Sequence, residues 1–297
     1  MTTFNDMVEE VLINLEGFTL RQDRTTYLTS TIDNNDLTIA LASGDNIGKG
    51  IVEIDDELIH IDSVDRSDRS ATISPFGRGY RGTTAAAHTL NTKVTFAPSF
   101  PKISVKRAIN DTIRAVYPSV FGVASTTFTF NPSVTTYALP NEAETVLAVS
   151  WDTIGPSNEW LPIRRWRHEP TANIGEYATG NAISIYEAIV PGRTVNVVYT
   201  KTPTALSSGS DVFTTVTGFE ESSRDLIVYG AAYRMASFID PGRLTFTSPE
   251  ADQNDQTRPF GAGTNTARYL LALYQQRLQE ETSRLNGKYP VRVHYTI

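Results

Sequence analysis

Apolar positions along the chain switch between a helical and a strand period. Over residues 3–16, Phe4, Met7, Val8, Val11, Leu12 and Leu15 fall at i, i+3, i+4, i+7, i+8 and i+11. That is one helix face, with Glu9, Glu10 and Asn14 opposite and Gly17 placed as a C′ stop. Between 27 and 97 the runs Leu37–Leu41, Gly50–Ile54, Leu58–Val64, Ala71–Ser74 and Lys93–Phe96 are separated by Gly, Asp and Ser clusters. This predicts short strands in a compact all-β module. Helical spacing returns over 102–118, where Val105, Ala108, Ile109, Thr112, Ile113, Val116 and Tyr117 share a face, with Ser104 as a candidate cap and Pro118 at the end. Strand runs follow at Thr126–Phe130, Thr145–Trp151, Trp160–His168, Ala182–Glu187 and Val195–Thr200. Turn signals between them, such as Asn131-Pro132 and Pro191-Gly192, predict a β-sandwich or small barrel. Residues 220–239 predict a third helix ended by Asp240-Pro241-Gly242, and a polar stretch, Arg243–Thr264, follows it. Asn265–Asn286 predicts the longest helix, with Leu270, Leu273, Tyr274, Leu278 and Leu285 as its stripe and Gly287 closing it.

This order predicts an α+β fold: a helical bundle with two inserted all-β modules, one of them a β-sandwich or small barrel, and a C-terminal extended tail. The divisions are 1–18 (bundle helix), 19–100 (acidic β-module), 101–122 (bundle helix), 123–218 (β-sandwich), 219–288 (bundle helices) and 289–297 (tail). In the tail, Val291, Val293, Tyr295 and Ile297 alternate with Arg292, His294 and Thr296. Such a strand has an apolar face to bury, either on its own β-module or on another subunit.

Composition narrows the function classes. With 297 residues, 40% hydrophobic and 20% charged, the chain is long and apolar enough to fold as one large domain or two to three smaller ones. No apolar run approaches the roughly 18 residues of a membrane span, so no membrane partner is expected. The start Met1-Thr2-Thr3-Phe4 lacks the basic and apolar regions of a secretory signal. Cysteine is absent, which removes disulfides, thiolate nucleophiles and Cys-based metal sites. The four histidines, His60, His88, His168 and His294, have no ligand-like spacing. Charge is uneven. Asp33–Arg69 holds ten acids and three bases, a net of −7, and the remaining 23 acids and 23 bases cancel. An acidic chain without a basic block argues against gripping nucleic acid by its phosphates and leaves open a surface that DNA merely passes.

Several motifs carry competing readings. Gly77-Arg78-Gly79-Tyr80-Arg81-Gly82 matches G-x-G-x-x-G, but no crossover helix fits before the next strand and no acid lies about 20 residues on. The sequence favours a structural turn at Gly77, Arg78, Gly79, Arg81 and Gly82, its arginines offsetting nearby Asp residues. Asp55-Asp56-Glu57 with Asp62, Asp65 and Asp68 lacks EF-hand spacing and reads as a solvated acidic hairpin. His60 and Asp62 share a strand face, but no nucleophile elbow accompanies them. Trp160, Arg164, Arg165, Trp166 and Arg167 form an aromatic–basic cluster. It suits a subunit contact, with a stacking platform for nucleic acid or sugar as the alternative. No catalytic residue, metal or cofactor is expected.

The stretch from Asp56-Glu57-Leu58-Ile59 through Ser63-Val64-Asp65 to Gly77–His88 and Val94 resembles a small β-module that recurs in structural proteins of tailed bacteriophages. The layout of helices, β-sandwich, long helix and extended tail resembles the head-to-tail adaptors (connectors) of the phage neck. The acidic Asp33–Arg69 insert departs from simple helical adaptors and leaves a tail-tube-proximal or baseplate role open. The resemblance implies a homo-oligomeric ring, typically of twelve copies, docked under the portal protein. It would extend the channel through which double-stranded DNA passes and offer a platform to a downstream tail or neck protein. It also implies a portal-binding tail (Tyr289, Val291, Arg292, Val293, His294, Tyr295, Ile297), synthesis in the host cytoplasm and a final place in the virion neck. Other classes are a nucleotide enzyme using Gly77–Gly82 and a glycan binder using Trp160 and Trp166.

Overall fold

The computed structural model describes residues 1–16, 23–45, 47–153, 159–236 and 262–290. Its elements are α1 (Phe4–Glu16), β1 (Arg24–Tyr27), β2 (Thr38–Ala40), β3 (Gly50–Ile54), β4 (Glu57–Asp65), β5 (Ser70–Ile73), β6 (Lys93–Phe96) and α2 (Lys102–Ala115), then β7 (Gly122–Thr129), β8 (Thr136–Ala138), β9 (Thr145–Asp152), β10 (Trp160–Pro162), β11 (Trp166–Glu169), β12 (Ala182–Ile185) and β13 (Thr194–Lys201), and finally α3 (Phe213–Thr217), α4 (Arg224–Ala236) and α5 (Ala262–Lys288). The expectation of a helical bundle carrying β inserts is wrong. The fold is mostly β-sheet, with thirteen described strands in three sheets and the helices as accompaniment. Amphipathic spacing shows that a helix buries one face, but not that the face is buried against other helices. The chain divides into two compact units.

One unit comprises Val8–Ala108 and Ala231–Ala267. Its six-stranded sheet has the order β1-β6-β3-β4-β5-β2, antiparallel at each described pairing. The two edges meet beyond the strands: Leu28 bridges Leu41, Thr29 N–H donates to the Ala40 carbonyl and Ala42 N–H to the Tyr27 carbonyl. The sheet thus curls toward a barrel, which leaves less unpaired edge. Leu28, Ile39, Leu41, Val52, Ile54, Ile59, Ile61, Ile73 and Val94 fill its inside. α2 begins against this sheet. Its first N–H, that of Lys102, donates to the Glu53 carboxylate of β3 at 2.8 Å. A strand acid thereby satisfies one of the helix's orphan donors, in place of the expected Ser104.

The other unit comprises Met1–Met7, Ile109–Gly230 and Arg268–Ile297. Sheet β10-β9-β13-β7 and sheet β11-β12-β8 contribute to one apolar cluster, including Val149, Val195, Val197 and Tyr199 from the first and Ile183 and Ile185 from the second. Trp160–His168, expected as a single strand, is split between the two sheets. Ile163 is buried with its N–H on the Val149 carbonyl, and Arg164–Arg165 turn the corner. The N-terminus is tied down by Phe4 N–H to Asp211 O and Phe213 N–H to Thr2 O. α1 starts in a capping box, with Thr3 N–H on the Asp6 carboxylate and Asp6 N–H on the Thr3 hydroxyl.

Helices meet at Gly230 of α4. A Cβ there would run into Thr112 Cγ2 and lie 2.9 Å from Tyr274 Cε2, so only glycine permits the approach. α5 is secured at its other end by Glu281, which is buried and accepts from the Ser222 and Ser223 hydroxyls and from Arg284. Glu220 receives Arg284 at 2.5 Å and Lys288 at 2.6 Å. The helix does not stop at Gly287 as expected but continues through it to Lys288; this glycine has open space around it and adopts the helical backbone. Gly17, most of Arg243–Thr264 and Asp240-Pro241-Gly242 lie outside the described residues.

Candidate functional site

The G-x-G-x-x-G segment sits on a charged latch. The Asp55–Asp56 turn between β3 and β4 delivers Glu57 to the start of β4, where it is 1% exposed. Arg78 Nε and Nη2 donate to its two oxygens at 2.8 and 2.9 Å. Gly79 N–H and Ala86 N–H add bonds of 2.9 and 3.1 Å, and His88 Nε2 lies 2.9 Å from Oε2. The other His88 nitrogen meets Asp55 at 2.8 Å. Arg78 also donates to the carbonyls of Asp33, Asp36 and Ala86, so one guanidinium ties together three segments of the unit. Burial alone would push the Glu57 carboxyl up, but the bonds from His88, Arg78, Gly79 and Ala86 outweigh it and hold the group at about 2. Burial pulls His88 down, yet its two carboxylate neighbours raise it on balance.

This turn is built to hold shape. Gly77 presses so closely on β4 that a Cβ would lie 2.6 Å from the His60 carbonyl. The backbone N–H groups that would face a nucleotide phosphate in a dinucleotide fold are partly used on Glu57. Arg78 balances Glu57, not the Asp side chains, while Arg81 lies 5.8 Å from the Tyr80 ring centroid. Glu57 is hidden from sequence reading inside an acidic triplet. The available signal is its successors: Leu58 and Ile59 are both buried, so both faces of the strand are covered there. The acidic hairpin is therefore partly paired rather than merely solvated, with Asp56 on Lys106 and Asp62 on Lys49.

Glu53 is a second acid that sequence reading misses. It lines a cleft of ≈ 710 Å³ with Glu9, Glu16, Asp23, Asp55, Lys93 and Lys102. Burial pushes its carboxyl up to about 7, against the bond from Lys102 N–H. Among the described residues no cluster of three or more His, Asp or Glu is arranged to hold a metal ion. His60 pairs with Ser74, at 2.6 Å, not with Asp62, and His168 with Asn181 at 2.7 Å.

The aromatic–basic cluster gathers at one sheet corner. Trp160 and Leu161 are exposed on β10, an edge strand, at 47% and 43%. Arg164 and Arg165 direct their backbone N–H groups to Glu187, and Tyr186 N–H bonds the Arg165 carbonyl. The side chains of Arg164, Arg165 and Arg167 are exposed, and none forms an ion pair among the described residues. Trp166 instead packs against the sandwich core. Of the tail, Tyr289 is described, with its ring 6.5 Å from that of Phe121 and Lys288 over it. Val291, Arg292, Val293, His294, Tyr295 and Ile297 lie outside the described residues.

No helix among the described residues is long and apolar enough to cross a membrane. Residues 83–294 match the family model described as SU10 adaptor protein. No curated protein matches the chain.

Proposed function

The chain belongs to the SU10 adaptor protein family, whose members are phage structural adaptors, and on that premise we propose that it forms the ring joining portal to tail. As a phage structural adaptor it is a virion component; its place in the neck belongs to the proposal. The extent of the family match carries the reading. It covers α2, the whole β-sandwich and the helices that follow, and it reaches into the C-terminal tail. The chemistry agrees with scaffolding: Glu57, His88, Glu281 and Arg284 are each engaged in holding segments together.

In this reading twelve copies close a ring under the portal, the tail from Tyr289 to Ile297 engages the portal, and the other end receives a tail or neck protein. Double-stranded DNA passes through the bore without being gripped; the net charge of −7 and the lack of a long basic run in the sequence support this reading, since phosphate binding by counterion release needs clustered Lys and Arg. Removal of Val291–Ile297 leaves the protein folded and abolishes co-sedimentation with portal rings. Undiminished binding by the truncated chain, with full-length protein binding as well, would remove the tail from the portal contact.

A further inference from the structure

Phe76 is held in an unfavourable way. It has φ 60°, a left-handed conformation that a bulky side chain rarely adopts, and it is 99% exposed. The turn enforces this. Ser74 N–H and His60 N–H bond the His60 and Gly77 carbonyls respectively, Gly77 is packed against β4, and Arg78 is locked on Glu57. Pro75 and Phe76 therefore stand out as a rigid apolar knob. Beside it the exposed run Asp33–Thr38 adds Leu37, whose carbonyl accepts Ile73 N–H. Among the described residues the Asp33 and Asp36 carboxylates form no ion pair: they accept from backbone N–H groups of their own turn, while Arg78 is held by the carbonyls of the same two residues. The surface is an aromatic anchor with an acidic rim.

The sandwich corner is its chemical complement. Trp160, Leu161 and Tyr186 are exposed apolar surface, and Arg164, Arg165 and Arg167 supply a cationic rim. We propose that the Pro75–Phe76 knob of one copy docks on the Trp160–Arg165 corner of a second copy of this chain, with Asp33 and Asp36 facing the arginines. Two different patches in contact make a heterologous interface, the kind that closes into a ring. Rigid presentation of an aromatic anchor lowers the entropy cost of docking. The proposal rests on the ring reading and names the contact between its subunits.

The absence of cysteine makes a clean test. Phe76→Cys and Leu161→Cys proteins carrying different tags are mixed, with portal rings added if the free chain stays monomeric, and then oxidised. A disulfide between the two variants, strong in the mixture and weak in either alone, is expected. In parallel, Phe76→Gly relieves the left-handed strain, so the monomer melts no earlier than wild type while assembly weakens at least about tenfold. Arg164→Glu with Arg165→Glu blocks assembly, and Asp33→Arg with Asp36→Arg restores it. Rings that form without the mixed disulfide, with Phe76→Gly assembling normally, overturn this contact and leave the ring reading standing. Cross-linking of the Phe76→Cys protein to portal alone, or an assembly defect in the Arg164→Glu, Arg165→Glu protein that Asp33→Arg with Asp36→Arg fails to rescue, also overturns it. Wild-type protein that stays monomeric even with portal overturns both.

Discussion

Replacing Glu57 by Gln tests the claim that the G-x-G-x-x-G turn is a structural latch. The substitution keeps shape and removes the charge, leaving the Arg78 guanidinium, 8% exposed, without its counter-ion. A carboxyl held at about 2 instead of 4.5 stabilises the fold by about 3 kcal/mol at neutral pH. Breaking one side of a buried pair costs about 3–5 kcal/mol, in agreement. The expected fall in melting temperature is about 10 °C. Because the folded value is depressed, this stability is fully present above pH 4.5 and is lost as pH falls toward 2. His88 has the opposite sign: its pKa is raised, so its contribution is present below about 6.5 and fades as pH climbs through the folded value. Urea unfolding of wild type and Glu57→Gln at a series of pH values between 2 and 8 reads both effects. The gap is wide near neutrality, and its pH-dependent part closes through the acid range. A gap under about 1 kcal/mol at pH 6, or one that does not change between pH 5 and 2, would refute the latch.

Glu53→Gln should act in the other direction. Its carboxyl is raised to about 7, so folding takes up a proton between 4.5 and 7 and wild-type stability falls across that window; the variant should lose this slope and gain about 1–2 kcal/mol at pH 8 in the same unfolding assay. Gly230→Ala forces a methyl against Thr112 and Tyr274 and should cost about 1–3 kcal/mol by thermal melting. Glu281→Ala strips partners from Ser222, Ser223 and Arg284, and should cost about 2 kcal/mol and speed hydrogen exchange along α5.

The elements are more legible than their arrangement. Gly50–Ile54 and Lys93–Phe96 are found at the residues their alternation marks, because apolar spacing and turn residues report on a strand directly. β1 (Arg-Thr-Thr-Tyr) and β8 (Thr-Tyr-Ala) escape the pattern because each is short and mostly polar, and each lies at a sheet edge, where pairing is by backbone and leaves little side-chain pattern. Trp160–His168 reads as one strand because nothing local distinguishes a residue that pairs on one sheet from its neighbour that pairs on another. The division between Ala108 and Ile109 falls inside α2, where the helix period is unbroken and carries no mark. For the site, the Gly-rich turn is visible and its anchor is not. Arg78 and Glu57 are 21 residues apart, and their pairing depends on the β4–β5 hairpin and its register, which no motif records.

A three-dimensional reconstruction of the virion neck would locate this chain in the particle. The expected result is a closed ring between portal and tail into which the six-stranded sheet and the β-sandwich can each be fitted, with the C-terminal segment reaching the portal. Density for these two units in the tail tube or baseplate, with another protein filling the space below the portal, would contradict it.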